Sequence, residues 1–179
     1  MKGIIFTEFI DMVEQQFGYE LVDELLTETY LPSGGAYTAI GTYSHQEMVD
    51  LLQGLNRKTN ISQSKLMYSF GQHLFKSLVR TYGHFMNYTS SAFTFLETVD
   101  SHIHAEVRKL YPDAELPSFN TRKLSDNQLE MLYKSDRAMG DLAEGLIVSC
   151  LEFYNEKAKV ERTPLSSNGK EERFLITKI

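Results

Sequence analysis

Apolar residues recur at three- and four-residue steps through the first two-thirds of the chain. Ile5, Phe9, Met12, Val13 and Phe17 follow this spacing, with Glu8, Asp11 and Glu14 between them, which predicts a helix over 4–17. Gly18 interrupts it. Val22, Leu25 and Leu26 predict a second, short helix before the loop Pro32-Ser33-Gly34-Gly35. Ser44-His45-Gln46-Glu47 reads as a capping box, whose serine oxygen and glutamate side chain satisfy free N–H groups at a helix start. Met48, Leu51, Leu52 and Leu55 continue that helix, and Leu66, Phe70, Leu74 and Leu78 predict another over 61–80. Phe93, Leu96, Val99, Ile103, Val107 and Leu110 predict one long helix over 89–110, stopped by Pro112 because the residue before a proline is pushed out of helical geometry.

The period then changes. Leu129, Met131 and Tyr133 alternate with Glu130 and Lys134, as in a strand, although Leu132 blurs the alternation. Residues 138–156 return to helix. Segments 157–163 and 173–178 flank Asn168-Gly169, a strong hairpin signal, with Pro164 and the intervening length making the hairpin loose. The order predicts an α+β fold, a helical N-terminal part packed on a C-terminal part with a small antiparallel sheet. No repeat or linker divides residues 1–179, so a single domain is expected.

Composition narrows the function. Eighteen Lys plus Arg against 24 Asp plus Glu give a net charge of −6, which argues against a general nucleic-acid binder. No apolar run approaches the ~20 residues of a membrane span. Acid at Glu8 argues against a signal peptide, and a cytoplasmic location is expected. Cys150 is the only cysteine, so an internal disulfide and a four-cysteine zinc site are excluded. The 11 Phe and 10 Tyr, with no Trp, suggest a large aromatic interior.

Five histidines are available: His45, His73, His84, His102 and His104. No nucleophile elbow, Gly-rich phosphate loop or His-Glu-x-x-His pair accompanies them. On a helix, His102 and His104 are about 200° apart, so they cannot converge on one ion, and periodicity does not choose between them. Tyr133-x-Ser135-x-Arg137 is more informative. In an extended chain these residues share one face, and a phenol, a hydroxyl and a guanidinium in a row suit a ligand with adjacent carboxylates. The plain alternative is the solvated face of a strand.

His104 seven residues before Tyr111-Pro112, then Leu116-Pro117-Ser118-Phe119, then Tyr133-x-Ser135-x-Arg137, form an ordered set. With Met1-Lys2-Gly3-Ile4-Ile5 and Phe70-Gly71, it resembles the haem nitric oxide/oxygen binding (H-NOX) family and the haem domain of soluble guanylate cyclase. The resemblance spans essentially the whole chain. It implies haem b buried between the two parts, His104 rather than His102 as proximal iron ligand, and Tyr133, Ser135 and Arg137 holding the propionates. It implies Ile5 and Pro117 pressing on the porphyrin, with simple packing as the alternative.

The resemblance places Phe9, Leu74 and Leu142 in the distal pocket. Oxygen-binding members carry a Tyr after an Asp there; here Asp141 is followed by Leu142. A pocket without donors favours NO, and also CO, with weak or no O2 binding. The implied protein is a sensor without catalysis of its own, in which NO weakens or breaks the bond from iron to His104. Its signal passes to a separate protein such as a histidine kinase or a cyclic-di-GMP enzyme. Some bacterial relatives hold zinc through several Cys and a His near the C-terminal hairpin. This chain has no His there, so no zinc is expected. Two other functions fit the residues: an oxygen-binding haem sensor, and a haem-free domain or enzyme for an anionic metabolite.

Overall fold

The computed structural model describes residues 1–179 and every side chain except those of residues 84 and 85, so His84 lies outside the described side chains. The helical spacing of the first part becomes α1 (Gly3–Phe17), α2 (Tyr19–Glu28), α3 (His45–Thr59) and α4 (Gln63–Tyr82). A 3-10 turn (Gly83–Tyr88) leads into α5 (Ala92–Thr98), a π turn (Val99–Ile103) and α6 (His104–Leu110). Then come β1 (Ser118–Ser125), β2 (Gln128–Lys134), α7 (Gly140–Phe153), β3 (Ala158–Pro164) and β4 (Glu171–Lys178). The fold is α+β, with one antiparallel sheet in the order β1-β2-β4-β3. Among the described residues, no helix is long and apolar enough to cross a membrane.

Two expectations about these elements are corrected, and one strand is added. The capping box at α3 closes on one side only: Ser44 Oγ accepts from the Gln46 N–H at 3.2 Å, but Glu47 turns inward and is buried. A buried carboxylate needs donors, and the Ser33 and Tyr37 hydroxyls supply them. The helix expected over 89–110 is broken by the π turn, and Leu110 is 67 % exposed rather than facing a core. Strand β1 escapes the period-2 pattern because its residues are polar and mostly exposed, as an edge strand tolerates.

Apolar side chains form two cores. The first joins Phe6, Phe9, Met12 and Val13 of α1 to Val22 and Leu25 of α2, Leu51 and Leu55 of α3, and Phe70 and Leu74 of α4. The second joins Phe93 and Leu96 of α5 to Ile147 and Leu151 of α7 and to Leu129, Met131, Tyr133, Phe174 and Ile176 of the sheet. Helix α7 serves both: Leu142 packs on the first core, Ala143 and Ile147 on the second, and Leu146 touches each. It lies close against α4 because Gly71 meets Gly145. A Cβ on Gly145 would fall 2.1 Å from the Tyr68 carbonyl oxygen.

The sheet is fastened to the start of α7 by Arg162. Its guanidinium bonds Glu172, at 2.7 Å for one oxygen, and Asp141, and Ser64 of α4 donates to Asp141 at 2.8 Å. Cys150 is fully buried, and burial pushes its thiol far above the ordinary range, so it is not a reactive thiol.

Candidate functional site

His104 opens α6 directly after the π turn. Its backbone N–H bonds to the Val99 carbonyl, five residues back, so the turn is wider than an α turn. Nδ1 lies 3.4 Å from Asp100 Oδ1. The same Asp100 oxygen accepts from the Phe119 N–H at 3.4 Å and lies 3.9 Å from the Arg108 guanidinium. Burial pushes the His104 pKa below its ordinary 6.5, while Asp100 and the Pro117 carbonyl pull the other way. The ring is therefore held neutral at neutral pH, and with Nδ1–H turned to Asp100, Nε2 keeps a lone pair. His102 differs: it is exposed, with Nδ1 2.9 Å from the Ser101 hydroxyl.

The Tyr-x-Ser-x-Arg row is not the straight line that an extended chain predicts. Strand β2 ends at Lys134, the Ser135 N–H bonds to the Lys170 carbonyl at 2.9 Å, and the chain turns through Ala138 at φ 50°. The turn keeps Tyr133 and Ser135 together and sends Arg137 elsewhere. The Tyr133 oxygen accepts from the Met139 N–H at 2.9 Å, and Ser135 Oγ accepts from the Arg137 N–H at 3.2 Å. Burial raises the Tyr133 pKa against the opposing Ser135 hydroxyl and Met139 N–H. The Arg137 guanidinium donates to the Glu115 carbonyl at 2.7 Å and to Glu115 Oε2 at 2.6 Å.

Phe119 stands between the two halves of the site, its ring centroid 5.9 Å from His104 and 5.5 Å from Tyr133. On the other side, Phe9 and Leu74 are buried in the first core, and Ile5 and Leu142 are half-buried against it. Two tyrosines pack on that core: Tyr37 donates to Glu47, and the Tyr43 oxygen accepts from the Thr38 N–H and lies 3.3 Å from the Thr38 hydroxyl. Pro117 is half-buried just before β1. Two hollows flank the site. One of about 620 Å³ is lined by Asp100, Phe119 and Tyr133, and one of about 190 Å³ by His45, Met48, Arg137 and Met139. Neither contains His104, Phe9 or Leu74.

Asp100, Glu115 and Phe119 were not singled out from the sequence. The spacing of Asp100 to His104, four residues on one helix face, was the available signal. Phe119 stood in the Leu116-Pro117-Ser118-Phe119 motif without a role assigned, and Glu115 carried no signal, because it reaches the site only through a tertiary contact.

The donor set fits a haem. A largely buried imidazole whose Nδ1 faces Asp100 suits an iron at Nε2, and two hydroxyls with a guanidinium suit carboxylates. A family model for haem-NO-binding domains matches residues 2–162. A comparison with curated proteins gave no match. The unliganded Fe(II) H-NOX protein of K. algicida is 41 % identical, with 100 % of this chain and 97 % of that one covered and a TM-score of 0.95. The H-NOX of Shewanella woodyi in its Fe(II)CO state, bound to IWP-051, is 37 % identical, with 100 % and 95 % covered and a TM-score of 0.86. The S. oneidensis H-NOX in its Fe(II)NO state is 27 % identical, with 100 % and 99 % covered and a TM-score of 0.92. The chain therefore belongs to the haem-NO-binding, or H-NOX, family of haem-based gas-sensor domains.

Proposed function

We propose that residues 1–179 act as one cytoplasmic, non-catalytic sensor domain that holds haem b and prefers NO, and also CO, over O2. The observation that carries the gas preference is the apolar set Phe9, Leu74 and Leu142, with the Tyr37 hydroxyl donated to Glu47. A bound haem would supply a ferrous iron that His104 holds and that binds a diatomic gas. Bound O2 carries partial negative charge and needs a donor; NO depends on one far less. Leu142 offers none.

His104 Nε2 would hold the iron, and Asp100 would orient the ring through Nδ1. Tyr133 and Ser135 would donate to one carboxylate, and Arg137 would leave Glu115 for the other. Ile5 and Pro117 would press on the ring. Loosening at His104 would free α6, whose C-terminal end leads to Tyr111 and Asp113. Lys2, beside the start of α1, bonds Asp113 at 2.9 Å and sits 5.1 Å over the Tyr111 ring. A displacement of α6 thus has a direct contact through which to reach α1, which carries Ile5 and Phe9. The receiver is a separate signalling protein such as a histidine kinase or cyclic-di-GMP enzyme.

The test is the absorption spectrum of the ferrous protein alone and with CO, NO and O2. A Soret band with NO and CO complexes and no stable O2 complex is expected. A stable O2 complex in air would overturn the gas preference. His104→Gly should lose haem unless imidazole is supplied; unchanged retention would point to another ligand.

A further inference from the structure

Outside the haem site, two facing side-chain atoms, Glu8 Oε2 and His73 Nε2, lack the hydrogen bonds that their burial requires. Glu8 and Asp11, three residues apart on α1, face His73 of α4. His73 Nε2 lies 3.4 Å from Glu8 Oε2 and 3.2 Å from Asp11 Oδ2. One ligand atom from each of the three residues lies within 4.8 Å of the others. His73 Nε2 and Glu8 Oε2 are sealed from solvent and neither makes a hydrogen bond, so the two short contacts lack hydrogen-bond geometry. Among the described residues, no Lys or Arg pairs with either carboxylate. A buried carboxylate oxygen and a buried ring nitrogen left unpaired are costly, and a cation between them removes both deficits.

The spacing fits an ion. With ligands at 2.0–2.1 Å, the edges of a tetrahedron are about 3.3 Å. Both contacts of Nε2 match that edge. One imidazole and two carboxylates form a borderline donor set, with the fourth position left to water. Gln15 donates to Asp11 Oδ2 at 2.8 Å, the kind of outer contact that orients a ligating carboxylate.

We propose that Glu8, Asp11 and His73 bind a divalent transition-metal ion of the Zn2+ type, clamping α1 to α4. The expectation of no zinc rested on the C-terminal hairpin, which lacks a His, and on Cys150 being the only cysteine; this set lies on α1 and α4, needs no sulfur, and revises it. The clamp adjoins the gas pocket in sequence on both helices, since Phe9 follows Glu8 and Leu74 follows His73. A filled site would fix the spacing of the two helices that supply the distal wall. It would also hold α1 against the displacement described above.

The test uses the purified full chain, stripped with a chelator and equilibrated with Zn2+, with the metal counted by mass spectrometry and its affinity measured by competition with a fluorescent chelator. One Zn2+ per chain is expected, with a rise in Tm. His73→Gln and Asp11→Asn should each weaken binding at least tenfold and remove the rise in Tm, while His102→Gln should retain both. Asp11 is half-exposed, so its variant decides the matter if His73→Gln fails to fold. Absence of stoichiometric Zn2+ in the parent protein, unchanged binding in Asp11→Asn, or loss in His102→Gln would overturn the proposal. The count is made with and without haem, so failure here leaves the gas-sensor reading intact.

Discussion

The His104 ring and the Asp100 carboxylate face one another across a π turn, Nδ1 to Oδ1 at 3.4 Å. The same carboxylate reaches the Phe119 N–H and stands near Arg108, so one side chain ties the histidine to β1 and to the far end of α6. Second contacts of this kind make a ligating imidazole more basic and fix its orientation.

Asp100→Asn keeps the shape and removes the charge. Haem should then dissociate about 10–100-fold faster, the span usual for losing an outer partner of a metal-bound histidine. The iron–histidine stretching frequency should fall in the resonance Raman spectrum. Unchanged dissociation and frequency would show that Asp100 does not support the ligand.

The neutral state of His104 gives the haem-free protein a pH dependence. Burial lowers its native pKa below the ordinary 6.5, so the unfolded chain binds more protons in that range. Stability is greatest above 6.5, falls as pH drops through 6.5, and keeps falling until the depressed native value is passed. Urea titrations at about pH 7.5 and about pH 5.5 should show His104→Gln losing less stability on acidification than the parent. His45 is shifted in the same direction by burial, so a residual slope is expected. Equal slopes would mean that His104 is not the group responsible.

Arg137 has two competing uses. Glu115 holds it now, but the Glu115 side chain is 84 % exposed, and such a pair is weak. Glu115→Gln should therefore raise haem affinity a few-fold by releasing the guanidinium, whereas Arg137→Ala should lower it about tenfold or more. Haem transfer to apomyoglobin measures both. A fall in affinity with Glu115→Gln would mean that Glu115 presents Arg137 rather than competing for it.

Leu142→Tyr tests pocket polarity directly. A phenol on α7 would supply the donor that the apolar set lacks, and a stable ferrous O2 complex should appear in air with NO binding kept. Failure to gain O2 binding in a variant that still holds haem and binds CO would mean that a donor at 142 does not reach the gas.

Arg162→Met probes the fastening of the sheet to α7. Glu172 is only 3 % exposed, and removing its guanidinium partner leaves a buried carboxylate uncompensated. A loss of about 3 kcal/mol in chemical denaturation is expected, with Glu172→Gln in the same background recovering part of it. A loss near zero would show that water reaches Glu172.

Much of this was legible from the order of residues. Phe9, Met12 and Val13 lie in the core because a 3.6-residue period puts them on one face of α1, and Leu129, Met131 and Tyr133 share a core because a strand alternates. His104 and Tyr133 were legible through their spacing from Tyr111-Pro112 and from Ser135 and Arg137, which the family pattern carries. Local pattern alone did not distinguish His104 from His102.

Tertiary structure decided the rest. It covered most of His104 and left His102 exposed, opened a π turn where periodicity gave one helix, bent Arg137 towards Glu115, and drew Glu47 away from its cap to Ser33 and Tyr37. It also brought Glu8 and Asp11 against His73, more than sixty positions away. Periodicity reports only which face of an element is apolar. Which polar groups end up facing one another depends on how those faces pack, and burial then sets the charge each group can carry.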